Sequence, residues 1–276
     1  MGAPKRAGGM AMKIYQDFAE VYDELMDNTP YVFWGERLEQ LIRKYGVSTS
    51  GRDAGSVLDS ERNLVVDLGC GTGTLTELMY QKGYDMIGVD VSEAMLNIAL
   101  KKKEKSGSEI LYLQQDMREL ELYGTVGTVF SVCDSLNYIL EEEELQDIFS
   151  MVNNYLFPGG IFIFDFNTDY KYREVIGETT IAENREDCSF IWENFYDPEE
   201  EINEYDLTVF VREEGESFRR FTETHFQRGY TVGQMLALVE RAGMTVLEVT
   251  DADTGESVTD TSQRVYVVAG EHGKEI

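Results

Sequence analysis

The sequence predicts an α/β fold: a mostly parallel sheet with helices on both faces, preceded by two helices and interrupted by an antiparallel β insertion. Three observations lead there. From residue 64 onward, short β-branched runs alternate with segments of helical period, the order that builds parallel strands joined by crossover helices. These runs are apolar at nearly every position, as strands covered on both faces are. Between about residues 179 and 226 the alternation stops and runs of period-two character follow one another, the pattern of antiparallel hairpins.

In chain order, residues 1–12 carry Lys5 and Arg6 with no apolar run behind them. They read as a loose tail without the anatomy of a secretory signal, with Met10 and Met12 as alternative starts. Between residues 14 and 27, Phe18, Tyr22, Leu25 and Met26 fall at helical spacing; Leu38, Leu41, Ile42 and Tyr45 repeat it after Pro30, and Gly46 closes that helix. Residues 47–62, rich in Ser, Gly, Asp and Thr, are expected to be a solvated connection. A first strand at 64–68 leads to a helix through Leu75, Leu78 and Met79, and a second at 86–90 leads to a helix from 93 to about 105. Further strands are expected at 110–113, 126–133 and 161–166, with a helix at 142–156 before the last of these. Within the insertion, 190–192 and 207–211 are strand-like, separated by turn-like Asp197-Pro198 and Glu214-Gly215. A helix at 232–242, stopped by Gly243, and strands at 245–249 and 264–269 return the chain to the sheet. The organisation expected is one domain over 1–276, with N-terminal helices at 14–46, a core at 63–170 and 230–270, and the insertion at 175–228.

With 52 acidic and 24 basic side chains the formal charge is −28, which excludes a conventional reader of phosphate backbones and disfavours anionic lipid surfaces. Small molecules are the expected partners, with no nucleic acid and no membrane. No apolar run approaches the roughly 20 residues needed to cross a bilayer. Cys70, Cys133 and Cys188 are an odd number at wide spacing, which is neither a disulfide framework nor a metal-binding knuckle; no metal is expected, and a reducing cytoplasm fits. Acidic runs at 141–144 and 199–201 read as solvated faces.

The strongest local signal is Val65-Val66-Asp67-Leu68-Gly69-Cys70-Gly71-Thr72-Gly73, joining the first strand to its helix. Gly69 and Gly71 let the backbone turn tightly and approach a ligand closely. The spacing is G-x-G-x-G, not G-x-G-x-x-G, and no Lys-Ser/Thr pair follows Gly73, so neither a pyrophosphate nor a triphosphate is suggested. Seventeen residues after Gly73, Asp90 ends the second strand, where a carboxylate can accept hydrogen bonds from both ribose hydroxyls. Asp116 follows the third strand. Carboxylates at successive strand ends line the crevice in which open α/β sheets bind ligands; the structural alternatives are that Asp67 braces its loop and that Asp90 and Asp116 close strand-end turns.

The Asp67-to-Gly73 loop, Asp90 in Gly88-Val89-Asp90-Val91-Ser92, Asp116-Met117 and Leu156-Phe157-Pro158-Gly159-Gly160, in this order and separation, together resemble the signature set of class I S-adenosylmethionine-dependent methyltransferases. The resemblance spans about residues 15–156 and the terminal strands. It implies a Rossmann-like seven-stranded sheet, S-adenosyl-L-methionine as cofactor and S-adenosyl-L-homocysteine as product. It places Asp67, Gly69, Cys70 and Gly71 under the methionine and ribose part of the cofactor, Asp90 with Val91 at the ribose, and Asp116 at the adenine amino group. Met117 would add a backbone N–H and an apolar wall; Met95 would cover the other face of the ring or serve as helix core. At the fourth strand's end it implies Cys133, Asp134 and Asn137 near the methionine moiety, with Cys133 a small packed residue and not a nucleophile, and Tyr138 near the acceptor. The segment from Tyr15 to Asp23 resembles one in which an aromatic hydroxyl reaches the cofactor carboxylate. That role passes to Tyr15 first, with Tyr22 and Trp34 either sharing it or packing the core.

The insertion resembles the β lids of bacterial small-molecule methyltransferases, and Glu223-Thr224-His225-Phe226-Gln227-Arg228 resembles their exit from the lid. His225 is then a base or substrate contact, or else a strand histidine bonded to its neighbours. Arg228 binds a substrate carboxylate or forms a salt bridge. Trp192, Phe195 and Tyr196 form an apolar acceptor pocket or stack the insertion on the sheet. The implied reaction is an in-line transfer of a methyl group to nitrogen or oxygen of a small molecule, with a base needed only where the acceptor arrives protonated. The acidic surface favours the approach of a cationic amine. The alternatives are methylation of a protein side chain and a regulatory protein that binds the cofactor without turnover. A cytoplasmic monomer or homodimer is expected.

Overall fold

A computed structural model describes residues 19–27, 29–51, 56–213 and 215–274, with Glu20 as backbone alone; the expected tail and Tyr15 lie outside them. Helices α1 (Ala19–Leu25) and α2 (Tyr31–Tyr45) come first, and α2 buries Trp34, Leu38, Leu41 and Ile42 along one stripe. The stretch expected to be a plain connection contains a helix, α3 (Val57–Asn63), started by Ser56, whose Oγ accepts the Asp59 N–H at 3.2 Å. Val57 and Leu58 are exposed, so no burial period announced it.

Strand β1 (Leu64–Leu68), α4 (Thr74–Gln81), β2 (Asp85–Asp90), α5 (Glu93–Ser106), β3 (Leu111–Gln114), β4 (Val126–Ser131), α6 (Glu142–Tyr155) and β5 (Leu156–Asn167) then alternate. Two boundaries differ from expectation. Strand β4 ends before Cys133 and Asp134, which adopt φ of 64° and 52° and so cannot continue a strand. Strand β5 begins five residues earlier than expected: Leu156 pairs with Val126, because Pro158 holds the residue before it extended and blocks further helix.

The insertion forms its own antiparallel sheet of β6 (Thr180–Asn184), β7 (Cys188–Asp197), β8 (Ile202–Arg212) and β9 (Phe218–Arg228). Helix α7 (Val232–Arg241), begun by a Thr231–Gln234 capping box, leads to β10 (Met244–Asp251) and β11 (Arg264–Glu271).

The large sheet has the order β10-β11-β5-β4-β1-β2-β3. Strand β11 is antiparallel to both neighbours, and the other pairs are parallel. Successive residues of one strand feed opposite faces. Val65, Phe130 and Ile163 pack under α2 and α4, while Val66, Val129 and Phe162 pack under α6 and α7. On the second face Phe149 meets Phe162 and Phe164 at 5.4 and 5.0 Å between ring centres; burying each such ring contributes about 1.5–3 kcal/mol. The chain runs outward from β1 to β3 and then returns to β4 on the other side of β1. The loops leaving β1 and β4 therefore diverge and open a crevice at the carboxyl ends of the strands. No helix among the described residues is long and apolar enough to cross a membrane.

Candidate active site

The crevice is a cavity of about 1560 Å³, bounded by the loops after β1, β2, β3 and β4, by α1, and by the turn between β7 and β8. A drug-sized ligand site is typically about 300–1,000 Å³, so this one has room for two molecules.

Its floor is the loop from Gly69 to Gly73. Gly69, Gly71 and Gly73 have φ of 86°, 54° and 72°, a region costly for residues with a Cβ. A Cβ on Gly69 would lie 2.7 Å from Ser135 Oγ, and one on Gly73 would run into the Tyr112 hydroxyl; one on Gly71 meets nothing within 4 Å. The first and third glycines are thus needed for packing, whereas the second faces open space. Val89 O accepts the N–H groups of Gly69 and Cys70 at 2.8 and 3.0 Å, tying the loop to β2.

Four acids stand around this floor. Asp67 is buried and accepts a 2.6 Å hydrogen bond from Thr76. Asp90 Oδ2 accepts the Gly71 N–H at 2.7 Å and Oδ1 the Ser92 N–H at 2.8 Å. Burial raises its carboxyl above the usual range, and backbone N–H groups of Ser92, Gly71 and Val91 oppose the rise. Asp116 is buried enough to be pushed up, but the Arg118 guanidinium and N–H outweigh this and hold it below its usual range; Arg118 reaches it at 2.5 Å. Glu144 joins the same arginine at 3.4 Å. Val91, Met95 and Met117 supply apolar wall. Cys70 and Cys133 also line the cavity, with burial pushing both thiols well above their ordinary value. They are neutral packed groups and not thiolate nucleophiles.

Several predicted residues are not brought to the cavity. Asp134 turns away from it, binding Arg264 and accepting the Gln227 amide at 2.8 Å. The cause is the left-handed pair Cys133–Asp134, held because Asp165 accepts both of their N–H groups at 3.3 and 2.9 Å. Asn137 is fully buried: its amide donates to Asn167 O and Arg228 O, and its oxygen accepts the Asn167 N–H. It fastens the end of β4 to β5 and β9. Trp34 packs in the α2 face, edge-on to Tyr31 at 5.6 Å. Trp192 donates to Asn194 at 3.0 Å and packs at a tilt of 42° against Tyr205, in the apolar cluster where α1 meets the insertion. His225 is 1% exposed, also outside the cavity lining.

Tyr22, Tyr138, Tyr196 and Arg228 do line it. Arg228 is in an ion pair with Glu201 at 3.1 Å and donates to Leu140 O, which is the salt-bridge reading of that residue. Sequence reasoning missed Tyr31, at the start of α2 and hydrogen bonded to Tyr22. The acidic runs keep solvent-accessible members, as expected, and Glu141, Glu144, Glu199 and Glu200 also line the cavity together with Asp197 and Glu204. Their signal was position: the first run follows the loop after β4, and the second forms the turn between β7 and β8.

Residues 65–160 match the family described as the methyltransferase domain. A chain of Geobacillus sp. (strain WCH70) named as a methyltransferase is 35% identical over 255 residues, 92% of this chain and 98% of that one. The crystal structure of an S-adenosylmethionine-dependent methyltransferase from Clostridium acetobutylicum ATCC 824 is similar with a TM-score of 0.80 at 27% identity, over 94% of this chain and 99% of that chain. Over a shorter stretch, 37% of this chain and 42% of the relative, a dTDP-3-amino-3,4,6-trideoxy-alpha-D-glucopyranose N,N-dimethyltransferase of Streptomyces venezuelae is 31% identical.

Proposed function

This chain belongs to the class I S-adenosylmethionine-dependent methyltransferases, and from that premise we propose that its acceptor is a small-molecule amine or hydroxyl entering beneath the antiparallel insertion. The observation that carries the reading is the cavity, which continues from the glycine loop to the β7–β8 turn and exceeds the needs of one nucleoside. The amino-sugar dimethyltransferase among the relatives supports the same acceptor class.

The residues present fit the cofactor. Gly71 offers backbone facing open space, and the Asp90 oxygens, which accept backbone N–H groups of Gly71 and Ser92, have lone pairs left for ribose hydroxyls. On this reading Asp90 holds the ribose, Gly69 to Gly71 pass under it, and Met95 and Met117 enclose the adenine. Asp116 orders its own turn through Arg118 and offers its remaining lone pairs to the amino group. Tyr22 and Tyr31 stand over the methionine end. When bound, S-adenosylmethionine supplies an electrophilic methyl carbon. The protein's part is to hold an acceptor in line with it at about 3–3.5 Å and to exclude water. The insertion acts as the lid, with Tyr196 and Phe226 as apolar wall and Asp197, Glu199, Glu200 and Glu204 as a rim that attracts cations.

Calorimetry with S-adenosylmethionine and S-adenosylhomocysteine, set against NAD, tests the cofactor half; micromolar binding of both sulfur nucleosides without NAD is expected. A radiolabelled methyl donor with a panel of small amines and alcohols tests the acceptor half. Label appearing only in polypeptide would replace the small-molecule reading.

A further inference from the structure

Behind the cavity wall lies a chain of polar groups that cofactor binding does not use. The Tyr138 hydroxyl is 2.6 Å from the Tyr205 hydroxyl and 3.1 Å from Nδ1 of His225. On the far side of the imidazole, Nε2 lies 3.4 Å from Glu223 Oε2, a carboxylate only 10% exposed. The ring is fixed in plane by stacking on Tyr205, 4.7 Å between centres and 6° from parallel. Tyr138 alone of these four lines the cavity. A carboxylate, an imidazole and a phenol in series, ending at a ligand cavity, is an arrangement suited to moving a proton.

Building on the methyltransferase reading above, we infer that Tyr138 receives the proton displaced from the acceptor and that His225, oriented by Glu223 and Tyr205, takes it onward into the insertion. Tyr138 is the catalytic residue of this relay, and the other three are positioning residues. As the acceptor's N–H or O–H bond breaks, its proton bonds to the Tyr138 oxygen and the phenol's own proton passes to Nδ1 of His225. The imidazolium so formed is paired with Glu223. One proton moves from acceptor to imidazole for each methyl group received, and no oxidant or reductant is involved. The orientation required has Tyr205 donating to Tyr138, Tyr138 donating to Nδ1, and Nε2–H directed at Glu223. The titratable groups facing the imidazole include Tyr138 from the turn after β4, Tyr205 from β8 and Glu223 from β9.

The chain has two histidines, so the imidazole resonances in nitrogen-15 NMR are simple to assign, with His272→Gln identifying the other. The probes are S-adenosylhomocysteine and sinefungin, the analogue that carries a primary amine where the methyl group is held. If Tyr138 faces the transfer point, exchanging the first ligand for the second alters the hydrogen bond from the Tyr138 hydroxyl and shifts the Nδ1 resonance of His225, and Tyr138→Phe, which removes that hydrogen bond, reduces the shift at least twofold. Identical His225 resonances with the two ligands in the wild type, or an undiminished shift in Tyr138→Phe, would return His225 to a packed strand histidine. Calorimetry on the same samples separates the two levels: binding of neither nucleoside would overturn the cofactor assignment itself, whereas normal binding with identical resonances would overturn the relay alone. His225→Gln, folded and nucleoside-binding, is expected to lose turnover at least tenfold with any acceptor found in the amine panel.

Discussion

Asp67 lies buried beneath the glycine loop, where burial pushes its carboxyl up to about 7 against the hydrogen bond from Thr76, with the nearby Asp90 adding to the rise. An acid whose native pKa lies above its unfolded value of 3.8 binds its proton more tightly when folded, so stability falls as pH rises from 3.8 through 7. Between pH 5 and 7 this amounts to about 2 kcal/mol. Urea unfolding at the two pH values is expected to show that loss in the wild type and its absence in Asp67→Asn, which keeps an acceptor for Thr76. Equal slopes in both proteins would mean that Asp67 titrates as an ordinary carboxylate. Asp90 is a different case, because its two oxygens are held by backbone N–H groups, one of Gly71 in the glycine loop and one of Ser92 in its own turn. Asp90→Ala should weaken S-adenosylhomocysteine binding at least tenfold, about 1.4 kcal/mol, by calorimetry. Unchanged affinity would remove it from the ribose.

The loop between β1 and α4 separates packing from ligand approach within three residues. Gly69→Ala meets both a φ of 86° and a 2.7 Å contact with Ser135, so it should cost about 1–3 kcal/mol of stability in thermal or urea unfolding. Gly71→Ala has the strained φ but no contact; it should cost about 1 kcal/mol while weakening nucleoside binding at least tenfold. Similar losses of affinity and stability in both variants would contradict the assignment of Gly71 to the ligand surface. The strands and helices of the large sheet were legible because their apolar runs and periods are local. The glycine loop, Asp90 and Asp116 were legible because strand ends place such residues mechanically. Helix α3 was not, since its signal is a single serine cap. The fates of Asp134 and Asn137 were hidden for another reason: two consecutive left-handed residues, stabilised by Asp165 from another strand, redirect the chain after β4. The choice between the two readings of His225 and of Trp192 was not legible, because period two shows that strand residues alternate but not which face meets α1 and which meets the cavity.

Across the whole molecule, a charge of −28 leaves many carboxylates without basic partners, and their mutual repulsion opposes compaction. Raising sodium chloride from about 0.05 to 0.5 M shortens the screening length from roughly 14 to 4 Å and should raise the thermal midpoint. A fall would show instead that the ion pairs, such as those of Glu248 with Arg37 and Lys44, outweigh the repulsion. The short helix α1 joins the two halves of the cavity. Asp23 accepts hydrogen bonds from Thr72 and Thr74 beside the glycine loop and pairs with Lys102. Val21 and Leu25 lie in the apolar cluster of the insertion, and Arg185 of that sheet donates to the Glu24 and Leu25 carbonyls. A ligand that steadies the loop therefore steadies the helix against the insertion, and one held beneath the insertion steadies the loop in return. With donor and acceptor placed as proposed, each is an effector of the other, and linkage requires the factor by which S-adenosylhomocysteine changes acceptor affinity to equal the factor by which the acceptor changes that of S-adenosylhomocysteine.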